Sequence, residues 1–312
     1  MQVFRGIPER ASQSSVLTIG NFDGVHRGHQ ALLKMLTDKA RSLALPAVVL
    51  TFEPHPREYF FPASAPARLA SLREKLLLLA GCGVDRVHVC RFDSRFAAIT
   101  ADEFIDRILV RGLGVRHLII GDDFRFGAKR QGDFAMLKAE GASRRFAVEA
   151  MPTLDIDGER ASSSAVRAAL AGGDLAHAAR LLGRPYSIAG RVVHGDKIGR
   201  TLGFPTVNIQ MKHRRPALSG IFAVGVEGLA PHPVAGVASI GVRPTVTDSG
   251  RPTLEVHLFD WDRDCYGAHL RVHFLNKQRD EAKFSSLDAL TAQIARDADA
   301  ACAWFAQNPI RN

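Results

Sequence analysis

The residues best suited to chemistry are His26 and His29, which flank Gly28 in the stretch Gly20-Asn21-Phe22-Asp23-Gly24-Val25-His26-Arg27-Gly28-His29. Val16, Leu17 and Ile19 read as a buried strand before it. From His29 onward Leu32, Leu33, Leu36, Ala40 and Leu43 fall on one helical face. A strand that feeds a helix through glycines points backbone N–H groups at one spot, and that spot favours phosphate. Two imidazoles placed there can stabilise charge on a reacting phosphate, where one preorganised donor contributes ~3 kcal/mol. Gly28 has no side chain, so a nucleotide can approach its backbone. The same residues would also suit a polar loop.

Other segments carry polar groups with a chemical use. Phe52-Glu53-Pro54-His55-Pro56 and Gly121-Asp122-Asp123-Phe124-Arg125-Phe126-Gly127 each follow an apolar strand run. The second joins aromatics, an arginine and carboxylates, a wall for a flat ring with a polar tail or an acidic turn over core phenylalanines. Ser162-Ser163-Ser164 precede a helix with Val166, Ala169 and Leu170 on one face, and Arg167 sits on its first turn. Gly190 to Asn208 is glycine-rich and basic. Its spacing from Gly195 to Gly199 is one residue short of a Walker A loop, Arg200 replaces the lysine, and no helix is expected after it. Thr206 and Asn208 alternate with Val207, so a strand turns both to one side. Two neutral oxygens on one side suit Mg²⁺ carrying ATP phosphates. Glu255 and His257 likewise share a face, with Leu254, Val256 and Leu258 on the other. A carboxylate there could take a proton from an attacking hydroxyl.

The elements that position these residues change halfway along the chain. Strand runs at 47–52, 84–92, 115–120 and 146–151 alternate with helices capped at Ser71-x-x-Glu74 and Thr100-x-x-Glu103. That alternation predicts a parallel sheet with helices on both faces and ligands outside the carboxyl ends of its strands. A boundary is expected over 172–185, with the first domain ending at 183 and the second beginning at 184. Short strand runs then follow one another at 187–193, 221–226, 234–240, 254–259 and 270–274, predicting a small antiparallel barrel. A closing helix is expected from Leu287 to Phe305, with Leu287, Leu290, Ile294 and Ala298 on its buried face.

At 312 residues the chain has room for two domains, and 46% hydrophobic with 23% charged residues suits a soluble fold. Its 41 Lys and Arg against 32 Asp and Glu give +9, which suits anionic partners without choosing among them. The positive residues are scattered, and His213-Arg214-Arg215 reads as a solvated loop. Cys82, Cys90, Cys265 and Cys302 form no CxxC pair, so reduced thiols and a cytoplasmic protein are expected. Residues 1–15 lack the apolar core of a signal peptide, and no run is long enough to cross a bilayer.

The pattern His26-x-Gly28-His29 resembles the signature of the HxGH nucleotidyltransferases. With it, in order, come Gly121 to Gly127, Ser162 to Arg167, Gly199-Arg200-x-x-Gly203-Phe204-Pro205-Thr206-x-Asn208, Gly241-x-Arg243-Pro244-Thr245 and Glu255-x-His257-Leu258-Phe259-Asp260. Together they resemble the bacterial bifunctional riboflavin kinase/FAD synthetase family over nearly the whole chain. The resemblance implies a Rossmann-like α/β nucleotidyltransferase domain followed by an all-β riboflavin kinase barrel with a C-terminal helix. It implies phosphorylation of riboflavin to FMN by ATP and adenylylation of FMN to FAD, with Mg²⁺. Glu255 would be the kinase base, and Thr206 and Asn208 the Mg²⁺–ATP residues. His26, His29 and Arg167 would act on phosphate charge in the adenylyl step. Nucleotide and flavin contacts would come from Gly20, Phe22, Asp23, Gly24, Gly28, His55, Asp123, Phe124, Arg125, Phe126, Ser162, Ser163 and Ser164. Gly195, Lys197, Gly199, Arg200 and Gly203 would serve the kinase, with Arg279 in a loop closing over flavin. Ser164 stands where the family usually has threonine, and Phe222 and Ser239 replace a common tyrosine and asparagine. The partners expected are small molecules, not nucleic acid or membrane, for a monomer or weak homo-oligomer. Two other readings remain: an adenylyltransferase for another phosphate substrate with a regulatory β domain, and a nucleic-acid-binding protein.

Overall fold

The computed structural model describes residues 1–121, 123–195, 198–211, 215–242 and 252–310. Two compact units emerge, one of Met1–Pro66 with Leu72–Ser162, the other of Ala67–Ser71 with Ser163–Asn312.

The first unit is built on six strands: β1 (Gln2–Arg5), β2 (Ser15–Ile19), β3 (Ala47–Glu53), β4 (Arg86–Arg91), β5 (Val115–Gly121) and β6 (Ala147–Met151). All neighbours are parallel, in the order β1-β4-β3-β2-β5-β6. From β2 the chain builds outward one way through β3 and β4 and the other way through β5 and β6. The carboxyl end of β2 is therefore the switch point where such sheets open a crevice. Helix α1 (Arg27–Ser42) lays Leu32, Leu33, Leu36 and Ala40 on one sheet face, as its period predicts. Each fully buried leucine there contributes ~1.5–3 kcal/mol. α2 (Pro56–Phe60) follows β3, and Leu79 of α3 (Leu72–Gly81) joins the core under α1.

The opposite face is covered by a helical run that begins with α4 (Ser94–Ala97) and α5 (Ala101–Glu103) and continues as a π-helix, Phe104–Gly112. The expected capping box holds: Thr100 accepts from Glu103 N, and Glu103 accepts from Thr100 N. Leu137 of α6 (Phe134–Arg144) completes that core. Not foreseen were β1, the helices α2, α4 and α6, and a hairpin of β7 (Asp155–Ile156) and β8 (Glu159–Arg160).

In the second unit, α7 (Ser163–Ala171) and α8 (Leu175–Leu182) come first, with Asp174 capping α8 and Gly183 ending it at φ 74°. A closed barrel follows, with β9 (Ser187–Val193), β10 (Thr206–Gln210), β11 (Gly220–Glu227), β12 (Val234–Val242), β13 (Pro252–Leu258) and β14 (His269–Arg279). All its neighbouring strands run antiparallel. A single helical turn, α9 (Ile198–Thr201), lies between β9 and β10, where no helix was expected. The barrel interior takes Leu254, Val256 and Leu258 from β13, with Phe222 and Phe274 edge to face.

Outside the barrel, α10 (Leu287–Gln307) packs Ala298 and Ala301 against Ile221, Ala223 and Val237. Leu287 is exposed, contrary to expectation. The contact uses alanines because small side chains let the helix approach the strands, and Trp304 and Phe305 seal its far end.

Candidate functional site

The histidine turn sits at the switch point of the first sheet. After β2 the backbone takes left-handed conformations at Phe22 (φ 50°), Gly24 (φ 78°) and Val25 (φ 41°). Two of these are not glycine, so the surrounding packing must hold them there. Phe22 and Val25 are both buried in the core under α1, which supplies that restraint. Phe22 was expected to face a ligand, yet it is fully buried. Its ring lies 5.0 Å from that of His29 and supports it from below.

His26 is the N-cap of α1, and its Nδ1 accepts a long hydrogen bond of 3.4 Å from His29 N. An accepting Nδ1 places the proton of a neutral His26 on Nε2. The two imidazoles stack at 3.7 Å between centroids. Burial, then the charge of His26 and of Lys75, holds His29 well below the usual histidine pKa of 6.5. His29 is therefore neutral near pH 7, and its Nδ1 is buried with no hydrogen-bond partner among the described residues. Gly28 allows the close approach expected, and what approaches is protein. A Cβ there would lie 2.9 Å from the Ala161 carbonyl oxygen and 3.1 Å from His26 Nδ1. Gly20 and Asp23 belong to the same turn, Asp23 being buried. Ser162 follows Ala161 directly within the unit.

The Gly121–Gly127 segment also ends a strand. Asp123 binds Arg160 at 2.9 Å and Arg125 binds Asp133 at 3.0 Å. Phe124 is half-buried and stacks on Phe126, whereas Phe126 belongs to the core beside Phe104. Of the two expected ring contacts, only Phe124 is therefore placed to make one. Asp122 lies outside the described residues. His55 serves as a helix cap: its Nδ1 accepts from Arg57 N at 3.0 Å, and its own N donates to Glu58 at 3.1 Å. Just beyond it, Tyr59, Phe60 and Phe61 are exposed, and Phe60 meets Phe92 edge to face. This aromatic surface at the carboxyl end of the sheet was not read from sequence, although the run Tyr59-Phe60-Phe61 behind a proline turn was visible.

In the second unit, Ser163 and Ser164 open α7, and Val166, Ala169 and Leu170 are its buried face. Arg167 Nε donates to the Ala67 carbonyl at 2.6 Å. On the barrel, Thr206 lies opposite His257 and Asn208 opposite Glu255 in the antiparallel register of β10 and β13. Ser239 of β12 flanks Glu255 on its other side. These side chains share the outer barrel face, because their neighbours Leu254, Val256 and Leu258 fill the interior. The glycine loop packs on the same groups. A Cβ on Gly195 would collide with the Asn208 amide, and one on Gly199 would come within 3.3 Å of Thr206 Oγ1. Gly203 takes φ 85°, a conformation only glycine adopts readily. His257 Nδ1 bonds the Pro205 carbonyl at 2.8 Å, which ties β13 to the turn before Thr206.

Lys197, the side chain of Arg200, His213-Arg214 and the motif Arg243 to Thr245 lie outside the described residues. Among the described residues no three His, Cys, Asp or Glu side chains cluster as a metal site. Thr206 and Asn208 offer neutral oxygens with the Glu255 carboxylate opposite Asn208, an oxygen donor set that suits magnesium carrying phosphate and water.

Arg279 ends β14 rather than lying in a loop, and its guanidinium forks onto buried Asp297 of α10 at 2.8 and 2.6 Å. Beyond it the Glu281 carboxylate lies directly over Gly241 of β12, on a strand position with no Cβ to exclude it. Burial pushes the Glu281 pKa up against the pull of Arg279. The signal for this residue was the isolated glycine in a strand, a mark of close approach.

Comparison with known proteins covers both units. Residues 9–165 match the FAD synthetase family model and residues 182–305 the riboflavin kinase model. The bifunctional riboflavin kinase/FMN adenylyltransferase of Escherichia coli (strain K12) is 52% identical over 300 residues, 95% of this chain and 96% of that one. The Pseudomonas fluorescens protein of the same name is 50% identical over 315 residues, spanning both chains completely. A crystal structure from Streptococcus pneumoniae described as a macrolide-efflux protein is similar at a TM-score of 0.81 and 30% identity, covering 97% of this chain and 100% of that one. No helix among the described residues here is long and apolar enough to cross a membrane.

Proposed function

The chain belongs to the bifunctional riboflavin kinase/FMN adenylyltransferase family, and from that premise we propose how its residues divide the two reactions. It phosphorylates riboflavin with ATP to FMN, then joins the AMP of a second ATP to FMN, giving FAD and pyrophosphate. We assign adenylyl transfer to residues 1–183 and phosphorylation to residues 184–312.

In the kinase step the terminal ribityl hydroxyl attacks the γ-phosphorus of ATP, the bond from that phosphorus to the β,γ-bridging oxygen breaks, and ADP leaves. Glu255 accepts the hydroxyl proton as the new bond forms. The glycine loop from Gly195 to Gly203 covers the phosphates, with Lys197 and Arg200 as its charges. Magnesium held at Thr206 and Asn208 would supply the charge neutralisation that phosphoryl transfer demands. The observation that carries this assignment is the register of β10 and β13, which sets Asn208 against Glu255 on one face. Glu281, over Gly241 on the neighbouring strand, would bound the riboflavin side of that face.

In the adenylyl step an FMN phosphate oxygen, already ionised, attacks the α-phosphorus and pyrophosphate leaves, so no strong base is needed. His26 would donate from Nε2 to the developing charge, and the first turn of α1 adds its backbone N–H groups. Neutral His29 lets the pair stack without the repulsion of two charges. Ser163, Ser164 and Arg167 would hold further phosphate oxygens. Phe124 and the exposed Tyr59, Phe60 and Phe61 would offer the isoalloxazine ring an aromatic surface. Four free cysteines support a reducing, cytoplasmic setting.

The test uses Glu255→Ala and His29→Ala with chromatographic product analysis. Glu255→Ala should abolish FMN formation from riboflavin while FAD still forms from supplied FMN. His29→Ala should do the reverse. Equal loss of both activities in either variant contradicts the division.

A further inference from the structure

The crossover from β1 to β2 contains no helix. Residues 6–14 run instead as a strap on the sheet face opposite α1, where Ile7 packs against the core of the π-helix. Backbone bonds pin the strap and the strand after it: Gly6 N to Val89 O at 2.8 Å, Ala11 N to Arg111 O at 2.7 Å and Ser15 N to Gly114 O at 3.0 Å. Gly112 permits the fit, since a Cβ there would lie 3.0 Å from the Pro8 carbonyl.

Between strap and π-helix lies a groove of about 1130 Å³. Arg10, Arg91, Arg107 and Arg111 line it together with Glu9, and Asp93, Glu103 and Asp106 stand behind the last three arginines. Its apolar lining includes Ile7, Phe96 and Ile99. Arg91 and Arg107 reach acidic neighbours only at 3.7 and 3.8 Å, and their side chains are 85% and 61% exposed. Arg111 is held closer, by Asp106 at 2.6 Å. The guanidinium forks at Arg91 and Arg107 thus keep donors available to a ligand. The histidine turn packs on the other sheet face, with Phe22 and Val25 in the core under α1.

We propose that this groove binds a nucleotide polyphosphate, apart from the histidine turn and the barrel face and adjoining the aromatic surface through Phe96 and Phe92. Guanidinium forks recognise phosphate oxygens in pairs. The apolar floor suits a flat base. A bare inorganic anion would use the arginines and leave the floor uncovered.

The test is photolabelling of the full chain with 8-azido-ADP and mapping of the labelled peptides. Label is expected within residues 6–14 or 91–111. Arg10→Glu combined with Arg107→Glu should lower it at least tenfold there, while label in the catalytic regions and the rates of FMN and FAD formation stay unchanged. Inorganic pyrophosphate should need at least tenfold more than ADP to displace it. Absence of label in those segments, label undiminished by charge reversal, or equal displacement by pyrophosphate would each overturn the proposal.

Discussion

Replacing Gly28 by alanine separates stability from catalysis at the histidine turn. The new methyl would stand 2.9 Å from the Ala161 carbonyl oxygen, 3.1 Å from His26 Nδ1 and 3.2 Å from His26 Cε1. Contacts under 3.0 Å are essentially never made by real Cβ atoms, so something must move by a few tenths of an ångström. The carbonyl belongs to backbone beside the β7–β8 hairpin, and the imidazole is the softer partner. Turning His26 about 30° off its rotamer costs ~0.5–1.5 kcal/mol. Alanine repays up to ~1 kcal/mol through helix propensity. Net stability should therefore fall, by up to ~1.5 kcal/mol for the imidazole and by more where the Ala161 backbone has to shift. Catalysis has no such offset, because a misplaced donor costs ~10²-fold per ångström and its complete loss ~10²–10³-fold. Gly28→Ala should thus lower FAD formation from FMN about 10- to 100-fold. FMN formation from riboflavin should stay near the parent value, and the urea midpoint should fall only modestly. FAD formation within twofold of the parent would refute the idea that Gly28 fixes the position of His26.

Gly195→Ala should drive the Asn208 amide off its place and cut FMN formation, with FAD formation from supplied FMN unaffected; a fully active kinase would show that the loop yields freely. The depressed pKa of His29 makes stability pH-dependent: its contribution is complete above about pH 6.5, the unfolded value, and is lost as pH falls toward the folded pKa. Urea unfolding of the parent should lose up to ~1.4 kcal/mol per pH unit below that point relative to His29→Gln, and parallel curves would exclude a neutral buried imidazole. Asp297→Ala leaves Arg279 half-enclosed without its fork, so denaturation should report a loss of ~2–3 kcal/mol; under ~0.5 kcal/mol would equate the pair with an exposed surface bridge.

The two sites differ in how far their residues could be read in advance, and the reason is the distance over which each is assembled. The histidine turn is local: strand, glycines, cap and helix follow one another within fifteen or so positions, and period plus capping chemistry is enough to see them. The kinase face is made from strands some fifty residues apart. Alternation correctly showed that Thr206 pairs in direction with Asn208, and Glu255 with His257. It could not show that Asn208 would stand opposite Glu255, since register is set by turns and by the packing of the whole barrel. Aromatics failed for another reason. Phe22 and Phe126 fit a ligand wall and a core equally well by type, and only the left-handed backbone at Phe22 and the contact of Phe126 with Phe104 decide for the core. Leu287 failed because hydrophobicity was taken to mark the buried face, whereas α10 needs close approach and obtains it with Ala298 and Ala301. Arg279 shows the same limit in charge: an arginine suits a phosphate or a buried carboxylate, and Asp297, eighteen residues later, supplies the carboxylate. In each case residue type set the repertoire and the partner set the role. The partner was legible where the chain brings it within one turn, and hidden where folding brings it from elsewhere.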